Sequence, residues 1–208
     1  MTKHATVSTK STAGLRREIV FTGFGGQGIV LAGRIVGEAA SLGDHRESTL
    51  TQSYGPEARG GACSAHVIIA SGAIHYPYVR RPDVLVCMSQ GGYDKFGDFL
   101  KDDGTLIIDE DLVPSVSPGG AADFFAIPAT RMAEELGRKM MANIVMVGFF
   151  TAVTGALTIE SARDAVAGAV PKNTIDMNLN AFTKGHDYGL AILKGRLKKA
   201  EGKKGARG

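Results

Sequence analysis

Short apolar runs alternate along the chain with segments whose apolar residues recur at helical spacing. The runs predict strands over 18–22, 62–70, 84–88, 105–109 and 124–128. The helical spacing predicts helices over 29–40, 93–100, 131–139, 144–154, 159–170 and 178–193. The run at 84–88 is apolar throughout, which is typical of a strand buried on both faces. This order favours a single-domain α/β fold in which helices flank a mainly parallel sheet.

One stretch, 140–159, contains no charged residue and raises the question of a membrane helix. Asn143, Thr151 and Thr154 interrupt it, and these polar residues favour a buried helix instead. A helix that is apolar on all sides must be covered on all sides. We therefore expect a partner to supply part of its cover, and we expect the isolated chain to self-associate.

Charge changes the picture of the two ends. The 208 residues carry a net charge of +3, but residues 1–17 contribute +4 and residues 194–208 contribute +6. The body between them is therefore acidic, at −7. We expect a disordered basic arm over 1–16, a folded domain over 17–193 and a flexible basic tail over 194–208. An acidic body argues against nucleic-acid binding, which requires a basic face on the fold itself.

Cysteine usage points to the compartment and excludes some metal sites. Cys63 and Cys87 are the only two cysteines, and they form no CxxC pair for zinc or an iron–sulfur cluster. Both lie in apolar strands, so we interpret them as small core residues. Together with an N-terminus that lacks the apolar core of a secretory signal, they indicate a reducing cytoplasm.

A glycine-rich loop, GFGGQG, separates the first strand from the first helix. Glycines permit close approach of a ligand, and a helix N-terminus offers free N–H groups, so the loop is a candidate phosphate site. The candidate residues are Gly23, Gly25, Gly26, Gln27 and Gly28. Dinucleotide binding would also need a second apolar strand ending in an acid, which residues 43–50 do not supply. A tight packing turn without a ligand is the other interpretation.

A second glycine-rich loop has the sequence YGPEARGG and occupies residues 54–61. An arginine in such a loop can present its guanidinium to a phosphate or a carboxylate, or it can satisfy nearby carbonyls. Loops that follow parallel strands gather at the carboxyl edge of the sheet, where ligands bind. We therefore add Tyr54, Arg59, Gly60 and Gly61 to the candidate site.

Five motifs in order resemble one family, the gamma subunits of 2-oxoacid:ferredoxin oxidoreductases. The motifs are GFGGQG, YGPEARGG, RPDVLV, MANIVMVG and NLNAFTKG, and the resemblance covers about residues 17–190. The second loop is similar to the 2-oxoglutarate type. The pyruvate type more often reads GVERRGAP there and the indolepyruvate type HGMSQRGG. The 2-oxoisovalerate and indolepyruvate types stay open as alternatives.

The resemblance implies a Rossmann-like domain and a subunit that is inactive alone. The whole enzyme of this family decarboxylates a 2-oxoacid to an acyl-coenzyme A and reduces ferredoxin, and it can run in reverse to fix CO2. Thiamine diphosphate, Mg2+ and [4Fe–4S] clusters are expected in the alpha and beta subunits, and a ferredoxin-like subunit can also be present. The gamma part is implicated in holding coenzyme A and in assembly, so no catalytic or metal-ligating residue is expected in this chain.

Two asparagines of the later motifs, Asn143 and Asn180, are assigned structural or interface roles. Two rival functions remain: a stand-alone NAD-dependent dehydrogenase, and a structural subunit without a ligand. His66 is interpreted as a half-buried strand residue, and the methionines Met140, Met141 and Met146 as core residues.

Overall fold

A computed structural model describes residues 16–54, 62–117, 121 and 123–205, and side chains as far as residue 199. The strands are β1 (Arg16–Phe24), β2 (Glu47–Tyr54), β3 (Ala62–Ala70), β4 (Val84–Cys87), β5 (Thr105–Asp109) and β6 (Asp123–Ile127). The helices are α1 (Ile29–Glu38), α2 (Gln90–Phe96), α3 (Ala129–Glu135), α4 (Ala142–Thr154), α5 (Ile159–Ala169) and α6 (Ile175–Gly205). Irregular helical turns follow α1 and α2 and precede α4 and α6.

The strands form one sheet in the order β2-β3-β1-β4-β5-β6. The pairs β1–β4, β4–β5 and β5–β6 are parallel, whereas β3 is antiparallel to both β1 and β2. Five strands therefore point the same way and only β3 runs against them. This mixed sheet confirms the predicted α/β domain and adds an antiparallel hairpin at one side of it.

Two apolar cores lie on opposite faces of the sheet. The larger core packs α1, α3, α4, α5 and α6 against residues such as Ile19, Phe21 and Val86. The smaller core packs α2 and neighbouring loops against Val20, Leu85 and Ile108. Alternate residues of β1 and β4 enter different cores, as the two-residue period of a strand requires. β4 is apolar throughout and β1 is apolar over residues 19–21, because neither face of the sheet meets water there.

Most predicted elements are confirmed, with one clear error. The sequence pattern predicts no strand between residues 22 and 62, but residues 47–54 form β2, an eight-residue strand paired with β3. β2 is polar and largely exposed because it is the edge strand of the sheet. The last helix is also longer than predicted, because α6 continues past residue 193 to Gly205. Of the predicted arm over 1–16, residues 1–15 lie outside the described residues and Arg16 is the first residue of β1.

The segment assigned to a flexible tail includes one anchored side chain. Arg196 bonds the Asp123 carboxylate at 3.2 Å and the carbonyl of Phe124, and its guanidinium lies 3.8 Å from the centre of the Phe125 ring. At Arg196, therefore, the C-terminal helix is attached to β6. The basic character of the segment reflects a solvated helix at least as far as this residue.

The apolar helix α4 is covered within the chain itself. Every residue from Ala142 to Thr151 is buried, and α6, α3, α5 and α1 pack around it. A partner is therefore not needed to cover this helix, and the expectation that a partner supplies part of its cover is wrong. Among the described residues, no helix is long and apolar enough to cross a membrane. Met140, which precedes α4, is 81% exposed and is not a core residue, whereas Met141 and Met146 are buried.

Candidate functional site

The glycine loop leaves the carboxyl end of β1 and enters α1 through a left-handed residue. Gly28 is the N-cap of α1 with φ of +74°, and Gly26 precedes it with φ of +94°. Residues with a β-carbon adopt such angles only at a cost. A β-carbon on Gly26 would meet nothing within 4 Å, whereas one on Gly28 would overlap the Asn143 amide. Position 28 therefore requires glycine both for its positive φ and for the close approach of Asn143. Position 26 requires glycine only for its positive φ.

Gln27 holds the loop to the neighbouring strand. Its Oε1 accepts from the Phe24 N–H at 2.6 Å, and its Nε2 donates to the Met88 carbonyl at 2.8 Å. Met88 follows directly after β4, so this side chain ties the turn after β1 to the turn after β4. Because the amide already bonds on both sides, we assign Gln27 to shaping the loop. The loop sequence by itself predicts a ligand contact for this side chain, and the geometry gives it a supporting role instead.

Asn143 fixes the same loop from the other side. The side chain is 2% exposed, and its Nδ2 donates to the Gly28 carbonyl at 3.1 Å. This contact joins the first turn of α4 to the N-cap of α1, 115 residues earlier. The geometry agrees with the structural role predicted for Asn143. Asn180 lies exposed on α6, and its predicted interface role stays a prediction.

The N-terminus of α1 is left without an internal anion. Gly28 has no side chain to cap the helix, no cap hydrogen bond from a described side chain is present, and the first turn contains no acidic residue. The first N–H groups of a helix lack intrahelical partners, and the helix dipole places partial positive charge there. Gly25 and Gly26 are exposed beside this end. A phosphate group fits such a site.

The second loop starts and ends at the same edge of the sheet. Tyr54, at the end of β2, pairs with Cys63, and Ala62, at the start of β3, pairs with Phe24. The strands thus bring the two ends of this loop next to the glycine loop, as the sequence predicts for the carboxyl edge. Arg59, Gly60 and Gly61 lie outside the described residues, so their part in the site stays a prediction.

Large apolar side chains are exposed at the carboxyl edge of the sheet and just before α4. Phe24 in β1 and Tyr54 in β2 are exposed at the carboxyl edge, and Met140 is exposed just before α4. Exposed apolar groups near a polar site are a frequent mark of an interaction surface. Sequence reasoning misses Phe24 and Met140, because apolar letters next to buried runs resemble core residues.

Other chemistry-bearing residues are occupied in structural roles. Burial raises the pKa of the Cys63 and Cys87 thiols, so both remain protonated in the core. The His66 Nε2 lies 3.1 Å from the Ser64 hydroxyl oxygen. Burial lowers the pKa of His66, and the nearby positive charge of Lys95 lowers it further. No group of three or more His, Cys, Asp or Glu able to hold a metal occurs within the described ranges.

The strand order argues against a dinucleotide-binding dehydrogenase. In the dinucleotide fold, the strand after the first helix lies parallel to the first strand and adjacent to it. Here β2 follows α1, but β3 separates β2 from β1, and β3 is antiparallel to both. The strand that would carry the ribose-binding acid is therefore an exposed edge strand.

Two known proteins are similar to this chain in sequence over most of its length. The 2-oxoglutarate synthase subunit KorC of Methanocaldococcus jannaschii is 48% identical over 175 residues, which are 83% of this chain and 94% of the relative. The KorC subunit of Methanothermobacter marburgensis is 44% identical over 188 residues, 88% of this chain and all of the relative. Both relatives are subunits of a 2-oxoglutarate synthase.

Two solved structures have the same fold as this chain. The gamma subunit of a keto/oxoacid ferredoxin oxidoreductase from Geobacter sulfurreducens superposes with a TM-score of 0.76 at 40% identity, covering 84% of this chain and 99% of that one. A 2-oxoglutarate:ferredoxin oxidoreductase from Magnetococcus marinus, solved with 2-oxoglutarate, coenzyme A and succinyl-CoA, shares the fold. Its TM-score is 0.73 at 21% identity, with 85% of this chain and 31% of that one covered.

A family model described as pyruvate ferredoxin/flavodoxin oxidoreductase matches residues 18–188, which include every described strand except the first two residues of β1. This range contains the glycine loop, the Gln27 and Asn143 side chains that hold it, and the N-terminus of α1. The resemblance expected from the five motifs is confirmed, and the chain belongs to the pyruvate ferredoxin/flavodoxin oxidoreductase family.

Proposed function

We propose that this chain is the gamma subunit of a 2-oxoglutarate:ferredoxin oxidoreductase and that it holds an anionic part of coenzyme A. The whole complex would convert 2-oxoglutarate and coenzyme A to succinyl-CoA and CO2, with reduction of ferredoxin. The identity of the 2-oxoacid rests on the relatives named 2-oxoglutarate synthase subunits, which match nearly their whole length. The same relationship supports alpha and beta subunits as partners, ferredoxin as electron acceptor and a cytoplasmic site of action.

The observation that carries the coenzyme A role is the uncapped N-terminus of α1. Coenzyme A bears a diphosphate and a 3′-phosphate, and α1 offers N–H donors with no competing carboxylate in its first turn. Gln27 and Asn143 hold the backbone there from two sides, so the donors are ordered before the ligand arrives. Such preorganisation lowers the entropic cost of binding.

Chemistry at the 2-oxoacid is assigned to the partner chains. Thiamine diphosphate with Mg2+, bound in the partner chains, would supply the group on which decarboxylation occurs, and we assign no residue of this chain to it. The two cysteines of this chain are too few for a [4Fe–4S] cluster with four thiolate ligands. What remains for this chain is positional: it fixes the carrier end of coenzyme A, so that the thiol can reach the reacting centre.

The test is reconstitution with the partner chains. We expect the complex to reduce a viologen dye only with both coenzyme A and 2-oxoglutarate, and to lose this activity when the chain is omitted. Pyruvate and 2-oxoisovalerate serve as competing substrates in parallel assays. A higher kcat/KM for either of them would overturn the 2-oxoglutarate assignment and leave the family membership unchanged.

A further inference from the structure

A second surface lies at the amino edge of the sheet, opposite the glycine loop. Residues 71–83, which we call the amino-edge segment, connect the end of β3 to the start of β4 without forming a helix or strand. β1 begins at this edge and spans nine residues to the other, which is about 30 Å at the usual rise per residue. A partner bound here would not obstruct the coenzyme A end of the domain.

The amino-edge segment is fixed to the sheet at both its centre and its end. The Asp83 N–H donates to the Glu18 carbonyl at 2.7 Å, and the Glu18 N–H donates to the Asp83 carboxylate at 2.7 Å. Lys101 donates to the other oxygen of that carboxylate at 2.6 Å. Nearer the centre, Arg16 donates to the Tyr76 carbonyl at 3.1 Å. The segment is therefore an ordered surface.

Two tyrosine rings project from this ordered segment into solvent. Tyr76 is 46% exposed and Tyr78 is 58% exposed, and the rings pack edge to face with centres 5.5 Å apart. The Arg80 guanidinium lies 5.3 Å from the centre of the Tyr76 ring, and its Nη2 donates to the Tyr76 hydroxyl at 3.4 Å. The three side chains support one another, so little rotamer freedom remains to be lost on binding.

The charge at this surface is asymmetric. Arg16 pairs with Glu18 at 2.9 Å and Arg81 pairs with Asp102 at 3.3 Å, whereas Arg80 has no carboxylate partner among residues 16–54, 62–117, 121 and 123–199. A cavity of about 270 Å³ is lined by Glu18, Tyr76, Tyr78 and Arg80. The surface therefore combines one unpaired cation, two ordered aromatic rings and a recess. Tyrosine and arginine around a pocket are the residues that most often dominate protein–protein binding energy.

We propose that the amino-edge segment is the docking surface for another subunit of the oxidoreductase complex. That subunit would present a carboxylate to Arg80 and an apolar side chain to the recess between the tyrosine rings. A polyanion such as a nucleic acid fits less well, because a single unpaired cation stands on a body whose charge between the two basic ends is −7. The inference rests on the proposed function, since it requires the complex to exist.

The experiment is assembly of the full-length chain with its partner subunits, measured as an affinity by titrating tagged chain into the remaining complex. Arg80→Glu should weaken the affinity at least tenfold, and Tyr78→Ala should weaken it severalfold. Arg34→Glu reverses another exposed charge, on α1, where Arg34 pairs with Glu38, and should change the affinity less than twofold. Circular dichroism and thermal melting of each variant verify that the fold is kept, as expected for exposed positions.

The outcomes separate the two proposals. If the unaltered chain does not assemble, the proposed function fails. If it assembles and both amino-edge variants bind as well as Arg34→Glu, the function stands and the docking surface is wrong. If Arg80→Glu abolishes self-association of the chain but leaves subunit binding intact, the surface joins two copies of this chain, which also overturns the proposal.

Discussion

Two helix N-termini in this domain face their surroundings in opposite ways. At α5, Thr158 caps the helix by accepting from the Ser161 N–H, and the Asp44 carboxylate accepts from both the Thr158 hydroxyl, at 2.6 Å, and the Thr158 N–H, at 3.2 Å. Arg46 pairs with the same carboxylate at 2.7 Å. The N-terminus of α1 has no such anion from the described residues. The chain thus supplies an anion at the N-terminus of α5, whereas no described residue supplies one at the N-terminus of α1, the proposed coenzyme A site.

The side chains that hold the N-termini of α1 and α5 also differ in charge. The α1 end is shaped by two neutral amides, Gln27 and Asn143, which bond to backbone groups and leave the charge of the helix end uncompensated. The α5 end is shaped by an ionised side chain and its arginine. This contrast separates a fold-stabilising cap at α5 from the proposed binding site at α1.

The largest effect is expected at Gly28. In Gly28→Ala, the new β-carbon combines a positive φ with overlap of the Asn143 amide, and we expect a loss of about 2–4 kcal/mol in the free energy of unfolding. Gly26→Ala shares the positive φ but meets no neighbour, so its loss should be about 1 kcal/mol. Urea unfolding of the isolated chain measures both. Equal losses would contradict the role given to the Asn143 contact.

The next largest effect is expected at the N-terminus of α5, where the Asp44 carboxylate supplies the anion. Burial by itself raises the pKa of Asp44, but hydrogen bonds from Thr158, Ser161 and Arg46 outweigh it and place the pKa below its usual value. The Asp44 carboxylate therefore contributes stability above its unfolded pKa of about 3.9, and that contribution is lost as pH falls through the lower, folded value.

Asp44→Asn keeps the shape and removes the charge. We expect it to cost about 1–3 kcal/mol at pH 7, since one buried acceptor and the Arg46 ion pair are lost. The difference in stability between the variant and the original chain should shrink as pH falls below 4. Denaturant melts at a series of pH values measure it. A difference that is constant with pH would show that the charge of Asp44 does not stabilise α5.

A smaller effect is expected at Asn143. Asn143→Ala removes the hydrogen bond to the Gly28 carbonyl, and we expect a loss of about 1–2 kcal/mol together with a higher KM for coenzyme A in the assembled complex. Asn178 is a matched control, because it is also buried and donates to a carbonyl, that of Thr174, at 2.9 Å. Asn178→Ala should lose similar stability without raising that KM. A raised KM in both variants would point to general destabilisation instead.

The sequence predicts the strand–loop–helix unit of this site because its signals are local. Apolar β1, the glycines and the helical spacing of α1 lie within about twenty residues. β2 escapes prediction because the sequence ESTLTQSY has no apolar alternation; as an edge strand it is specified by its pairing with β3. The basic end of α6 resembles a tail because charge suggests disorder, yet lysine and arginine are also good helix formers.

Long-range contacts account for what the sequence could not show. The bond from Asn143 to Gly28 spans 115 residues, and the cap of Asp44 on Thr158 spans 114. Neither leaves a spacing signal, although the asparagine stands out through its motif. The burial of α4 within its own chain could not be predicted either. The composition of a helix does not show whether the residues that cover it belong to the same chain or to a partner.

The open end of α1 can be tested by giving it the anion that α5 already has. Gly26 is exposed, lies two residues before the N-cap and has room for a side chain. Gly26→Asp and Gly26→Asn impose closely matched backbone strain, since both residues tolerate positive φ, and they differ in charge. A carboxylate here should compete with the phosphate groups of coenzyme A for the helix end.

The most direct measurement is therefore the KM for coenzyme A of the reconstituted complex carrying each of these two variants. We expect a KM about tenfold higher for Gly26→Asp than for Gly26→Asn at low ionic strength, and we expect the difference to narrow as salt screens the charge. The KM for the 2-oxoacid should be the same in both. Equal coenzyme A KM values for the two variants would contradict the account, because the end of α1 would then hold no anionic part of the ligand.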